Sequence, residues 1–165
     1  MQRYFADSKI TTEYQLTPEI YKHAIKVLRM KVGDAFELVD DAEVVHKMEI
    51  TKIEDGKAEA TSVEVIPSDV ELPSNVTIAC GISKNDKADW IVQKGTEMGA
   101  TKFIFFIGDY SVAKWDRKRS SKKVQRLQKI ARSAAEQSHR TKIPEVTFVE
   151  KLKDIDFEKN DARIV

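Results

Sequence analysis

Val76-Thr77-Ile78-Ala79-Cys80-Gly81-Ile82, the polar run Ser83-Lys84-Asn85-Asp86, and then Lys87-Ala88-Asp89-Trp90-Ile91-Val92-Gln93-Lys94-Gly95-Thr96-Glu97-Met98-Gly99 decide the fold. The first seven residues form a short apolar run, which predicts a buried strand. An Asp cap opens the helical stretch 87–98 and Gly99 closes it. Residues 103–107 are a second, nearly all-apolar strand, 118–138 a long helix and 146–149 a further strand candidate. Strand, helix and strand in alternation imply a parallel sheet, because the crossover helix returns the chain to run in the same direction.

Upstream the pattern differs. Thr17 caps and Pro18 opens a helix over 19–28, where Ile20, Ala24, Val27 and Leu28 recur at helical spacing. The turn Lys31-Val32-Gly33-Asp34 leads into β-branched runs at 35–39, 44–53 and 57–66. Asp40-Asp41 and Asp55-Gly56 separate them, the latter a strong hairpin signal. This predicts a small β-barrel or twisted sheet. Pro67, Ser68, Pro73 and Ser74 then punctuate the chain, so a boundary is expected near residue 72, with one domain over 1–72 and another over 73–165. Residues 162–165 read as the start of a buried strand, which predicts further chain in the parent protein.

Charge is unevenly spread. The 165 residues carry a net +1, yet residues 114–142 hold 11 Lys and Arg against 2 acids, while residues 1–75 sum to −6. Arg117, Lys118, Arg119, Lys122, Lys123, Arg126, Lys129 and Arg132 repel one another where an ordinary solvated helix intersperses Glu. Phosphate relieves that repulsion, so the basic helix points to a polyanion; the plainer reading is a solubilising outer face.

Several chemistries find no support. His23, His46 and His139 lie in separate elements and Cys80 is the single cysteine, so no metal set can be written. Cys80 sits in an apolar run and reads as a buried, inert thiol. No glycine-rich phosphate loop or Gly-x-Ser-x-Gly turn occurs. No apolar run approaches the roughly 20 residues that cross a bilayer, and the amino terminus lacks a secretory stretch, so a cytoplasmic protein without membrane contact is expected.

Two groupings remain. Lys84 and Lys87 sit at a strand-to-helix corner, where open parallel sheets bind ligands and where either cation is suited to phosphate. Lys94 and Glu97 also fit a simple surface pair there. At the exit of the basic helix, Gln137 and Arg140 in Glu136-Gln137-Ser138-His139-Arg140 are suited to a base edge and a phosphate, or to an ordinary helix end with compensating cations.

Arg3-Tyr4-Phe5, His23 with Val27-Leu28-Arg29 before Gly33-Asp34, Gln93-Lys94 and Thr96-Glu97, then Glu136-Gln137-x-x-Arg140 with Ile143-Pro144 occur in the order found in one family. The chain resembles, end to end, the RsmE family of ribosomal RNA uridine-N3 methyltransferases, of the knotted SPOUT superfamily. The resemblance implies an α/β plus all-β architecture: a PUA-like RNA-binding β-barrel followed by the first part of a SPOUT α/β domain with a parallel sheet.

It further implies a homodimer that transfers a methyl group from S-adenosylmethionine to N3 of one uridine, uridine 1498, of 16S ribosomal RNA or the small subunit. The family's cofactor knot, with its Gly-Pro-Glu-Gly-Gly segment, has no counterpart before Val165, so the donor's residues are expected beyond it and no metal is implied. Asp40-Asp41 stands where the family usually has Asp-Gly.

In that frame Gln137 and Arg140 are the candidates at the target base, with Arg29 a second candidate to favour the uridine anion. Arg3, His23, Arg29, Lys84, Lys87, Lys122, Lys123 and Arg126 are candidates for RNA phosphate, and the general base is unassigned. A non-catalytic ribosomal RNA-binding protein is the alternative reading. A dimerisation module ranks last, because it leaves the basic helix without purpose.

Overall fold

The computed structural model describes residues 1–82, 87–108, 117–156, 162 and 164, with residues 117–119 as backbone only. It divides into two compact units. Residues 1–71 with 139–141 form a β unit, and residues 72–138 with 142–165 form an α/β unit.

In the β unit the strands are β1 (Arg3–Phe5), β2 (Glu13–Gln15), β3 (Ala35–Val39), β4 (Val45–Glu54) and β5 (Lys57–Ile66), in the sheet order β1-β3-β4-β5-β2. β1 runs parallel to β3 and every other pairing is antiparallel. Asp55 (φ 48°) and Gly56 (φ 75°) join β4 to β5 with two consecutive left-handed residues, the conformation that suits strand twist in a two-residue hairpin. Register breaks between Lys47 and Met48 and between Ile50 and Lys52 bend this long ribbon. Phe36, Leu38, Met48 and Ile50 are fully buried on its inner face, with Tyr4, Ile20 and Ala24 packed into the same core.

The Asp40-Asp41 turn manages without glycine because Asp40 organises it. One Asp40 carboxylate oxygen accepts the N–H groups of Ala42 and Val44, both at 3.0 Å. The other meets His46 Nε2 at 3.3 Å, and His46 Nδ1 lies 3.1 Å from Ser62 Oγ. Burial alone would raise the Asp40 carboxyl, but hydrogen bonds from the N–H of Val44, the N–H of Ile10, the His46 ring and the N–H of Ala42 outweigh it and hold it below its usual value.

Residues 19–28, expected as one regular helix, depart from that form. A four-residue α1 (Pro18–Tyr21), capped by Thr17 Oγ1 accepting from the Ile20 N–H at 3.3 Å, runs into a π-helical turn at Lys22–Val27. The widening keeps Ala24 in the core and puts His23 Nδ1 2.9 Å from Tyr4 Oη.

The α/β unit holds a parallel three-stranded sheet, β6 (Thr77–Gly81), β7 (Lys102–Phe106) and β8 (Glu145–Val149), in sequential order. Helix α2 (Lys87–Glu97) links β6 to β7, and α3 (Arg117–Gln137) precedes β8. Val92, Phe103, Phe105, Leu127, Ala131 and Val146 form the core. Gly95 lets α2 approach the sheet: a Cβ there would lie 2.7 Å from Phe103 Cε1 and 2.9 Å from Ile78 Cδ1. Cys80, expected to be buried, is half-buried, and burial pushes its thiol up, away from the reactive thiolate. Ala162 and Ile164, expected in a buried strand, are exposed and outside any strand.

Candidate nucleic-acid interface

The basic helix presents its charge because its apolar residues are spaced to be used inward. Leu127, Ala131, Ala134 and Ala135 are buried, which leaves Lys122, Lys123, Arg126, Lys129 and Gln137 on exposed positions. Gln128, on a half-buried position, fixes the backbone leading from α3 into β8: its Nε2 donates to the Pro144 carbonyl at 2.8 Å and its Oε1 accepts the Val146 N–H at 2.9 Å. Sequence reasoning missed this clamp, since an isolated Gln between Leu and Lys carries no signal of the backbone it will meet.

An open groove of about 440 Å³ runs between α2 and α3, lined by Asp89 and Gln93 on one side and by Arg126, Lys129, Ser133 and Gln137 on the other. Arg126 Nη2 donates to both Asp89 carboxylate oxygens at 2.5 Å, so its fork is held across the groove. Two amides, a hydroxyl and a lysine complete a lining that can both donate and accept. The structure thus brings Gln137 and Arg126 together. Lys94, outside the groove, pairs with Glu97 at 2.8 Å, the surface pair that their spacing predicts.

Arg3 and Arg140 are placed in the β unit and face inward. Arg3 Nε donates to Glu37 Oε2 at 2.8 Å, and its Nη1 donates to the carbonyls of His139 at 2.5 Å and Arg140 at 3.2 Å. Arg140, 4% exposed, is gripped by Glu71: Nη2 donates to Oε2 at 2.5 Å and Nε to both oxygens. Glu71 Oε1 also accepts the Thr141 N–H at 2.9 Å. His139 takes a left-handed φ of 56° and sets Nδ1 3.1 Å from Glu37 Oε2. Both arginine heads, expected at RNA, are therefore bound to carboxylates and carbonyls of the fold. Glu37 and Glu71 were not legible, because each lies far along the chain from the arginine it holds.

His23 lies in the π-helical turn and Arg29 two residues beyond it; Arg29 is exposed and has a φ of 58°. Lys87 is exposed at the first residue of α2, and Lys84 lies outside the described residues. Among the described residues, no three His, Cys, Asp or Glu side chains gather as a metal site, and no helix is long and apolar enough to cross a membrane.

Comparison with known proteins gives these features a family. A model described as an RNA methyltransferase domain matches residues 70–165, more than half the chain. The chain belongs to the RNA methyltransferase family. A second model, an RNA methyltransferase PUA domain, matches residues 16–61 of the β unit. Ribosomal RNA small subunit methyltransferase E of Bacillus subtilis is 38% identical over 96% of this chain and 66% of its own length. The corresponding Buchnera aphidicola protein from Acyrthosiphon pisum is 31% identical over 85% of this chain and 55% of its own. The crystal structure of ribosomal RNA small subunit methyltransferase E from Neisseria gonorrhoeae, bound to S-adenosyl methionine, superposes with a TM-score of 0.81 at 30% identity, over 90% of this chain and 62% of that one. The family drawn from the spaced motifs and the two-part architecture are both borne out. The chain spans about two-thirds or less of the length of these relatives.

Proposed function

We propose that this protein serves the S-adenosylmethionine-dependent methylation of N3 of one uridine, uridine 1498, in 16S ribosomal RNA, as a cytoplasmic homodimer acting on the RNA or the small subunit. The observation that carries this reading is the RNA methyltransferase domain over residues 70–165 in one chain with an RNA methyltransferase PUA domain.

Uridine N3 holds its proton at neutral pH, so transfer to it needs that proton removed and the resulting anion stabilised. Gln137, exposed at the end of α3, offers an amide that donates and accepts side by side, the complement of a uracil edge. Lys129 in the same groove supplies positive charge toward a developing anion. Lys122 and Lys123 hold phosphates, as does Lys87 at the head of α2, and Arg126, whose side chain is 58% exposed, trades its Asp89 partner for one. Arg140 is a positioning residue: with Glu71 it fixes the backbone of residues 139–141. Arg3 supports the same loop through two of its carbonyls.

The donor in the Neisseria relative is S-adenosyl methionine. A sulfonium is itself cationic, and the groove's Arg126 and Lys129 suit a phosphodiester or base edge and not that donor. None of the described residues is assigned to it. The test is incubation of the protein with methyl-labelled S-adenosylmethionine and 16S ribosomal RNA, or with small subunits, followed by digestion to nucleosides. Label in N3-methyluridine supports the reading, and RNA binding with no transfer favours the non-catalytic binder.

A further inference from the structure

Strand β5 is paired on both sides along only part of its length. On one side β4 accompanies it to the end, with Val45 opposite Ile66. On the other, β2 pairs with Glu59, Ala60 and Thr61, and the last rung is the Ser62 N–H donating to the Thr12 carbonyl at 2.7 Å. Beyond that rung, among the described residues, no second strand lies beside residues 63–66. The register break between Lys47 and Met48 skips Val63, and Glu64, Val65 and Ile66 then resume regular pairing with Lys47, His46 and Val45.

An open edge presents backbone donors and acceptors to solvent, and folded proteins blunt such edges with lysine or proline. Here Pro67 comes only after the strand, and the edge itself carries Val63, Glu64, Val65 and Ile66. Val63 is 53% and Val65 57% exposed. Acids surround them. Because Val45 lies opposite Ile66, the turn before β4 brings the exposed Asp41 and Glu43 to the same end of the sheet as the exposed Asp69. Lys47 approaches Glu64 only to 3.9 Å, and the Glu64 side chain is 60% exposed.

A strand added to this edge pairs with its backbone and covers both valines, while the acids select the charge of what is added. RNA is disfavoured, since the acids repel phosphate. A second copy of the chain is disfavoured as well, because edge-to-edge pairing sets the same acids against one another. A basic, extended polypeptide segment with apolar residues between its cations satisfies backbone, valines and carboxylates together. We infer that the 63–66 edge of β5 docks such a segment, supplied by a protein of the small ribosomal subunit. The inference deepens the reading of the small subunit as substrate and rests on it.

The experiment compares binding of the full chain to purified small subunits and to protein-free 16S ribosomal RNA. The variants are Val63→Lys with Val65→Lys, which protects the edge from pairing, and Glu64→Gln with Asp69→Asn, which removes two of the charges. The first pair is expected to weaken subunit binding about tenfold and the second about threefold, with RNA binding undiminished in both. Parent-like subunit binding by either pair, or equal weakening on subunit and bare RNA, overturns the docking role and leaves the methyltransferase reading standing. Failure of the unaltered chain to bind subunit and RNA alike overturns both. A benzophenone photo-crosslinker in place of Val65 identifies the occupant: a crosslink to a protein of the subunit is expected, and a crosslink to RNA, or none, overturns the inference.

Discussion

Arg140 and Glu71 form a nearly buried ion pair, with Nη2 2.5 Å from Oε2 and the arginine side chain 4% exposed. Removing one member of such a pair leaves the other charge buried without compensation, at a cost of about 3–5 kcal/mol. Glu71→Gln keeps the shape and deletes the charge. Urea unfolding of the variant is expected to show a much lower midpoint with an unchanged slope, and a midpoint equal to the parent's would show that the pair is not needed.

Gly95 stands where α2 crosses the sheet, and Phe103, which a new Cβ would strike at 2.7 Å, is itself fully buried. Gly95→Ala gains helix propensity of about 1 kcal/mol but forces a packed ring aside, at about 1–3 kcal/mol. The expected net result is a lower melting temperature. A higher one would mean that the core yields at no cost.

Asp40 makes the β unit acid-sensitive. Its folded carboxyl lies below the ordinary value of 3.8, so the unfolded chain binds its proton first. The stabilisation is complete above the unfolded value and disappears as pH falls through the folded one. Asp40→Asn is expected to lower stability at neutral pH and to flatten its loss as pH falls below the ordinary value of 3.8, followed by urea midpoints across the acid range. Parallel pH curves for variant and parent would contradict this.

Lys122 and Lys123 lie on the exposed face of α3. Replacing both with Ala is expected to reduce the salt slope of RNA binding by about 1 for each phosphate that the helix no longer holds. An unchanged slope would leave them as solubilising residues.

Much of this architecture was legible because it is local. The Asp55-Gly56 hairpin, the Gly99 stop and the apolar strands of the parallel sheet each announce themselves within a few residues. Three-residue β1 and β2 are too short for any periodicity to register, and β1 exists by pairing with β3 across 34 residues. The π-helical turn at Lys22–Val27 carries the apolar spacing of an ordinary helix, and its widening is visible only in the fold, where His23 meets Tyr4. The site divides in the same way. Gln137 and the basic helix were visible as composition, whereas the inward turn of Arg3 and Arg140 depends on Glu37 and Glu71, which are brought to them only by folding.

The central claim is most directly tested by deleting the coding gene in its own host and measuring N3-methyluridine in purified 16S ribosomal RNA by mass spectrometry. The account predicts that this nucleoside disappears at uridine 1498, returns with the intact gene, and returns weakly with a Gln137→Ala copy. Full N3-methylation at that position in the deletion strain would contradict it.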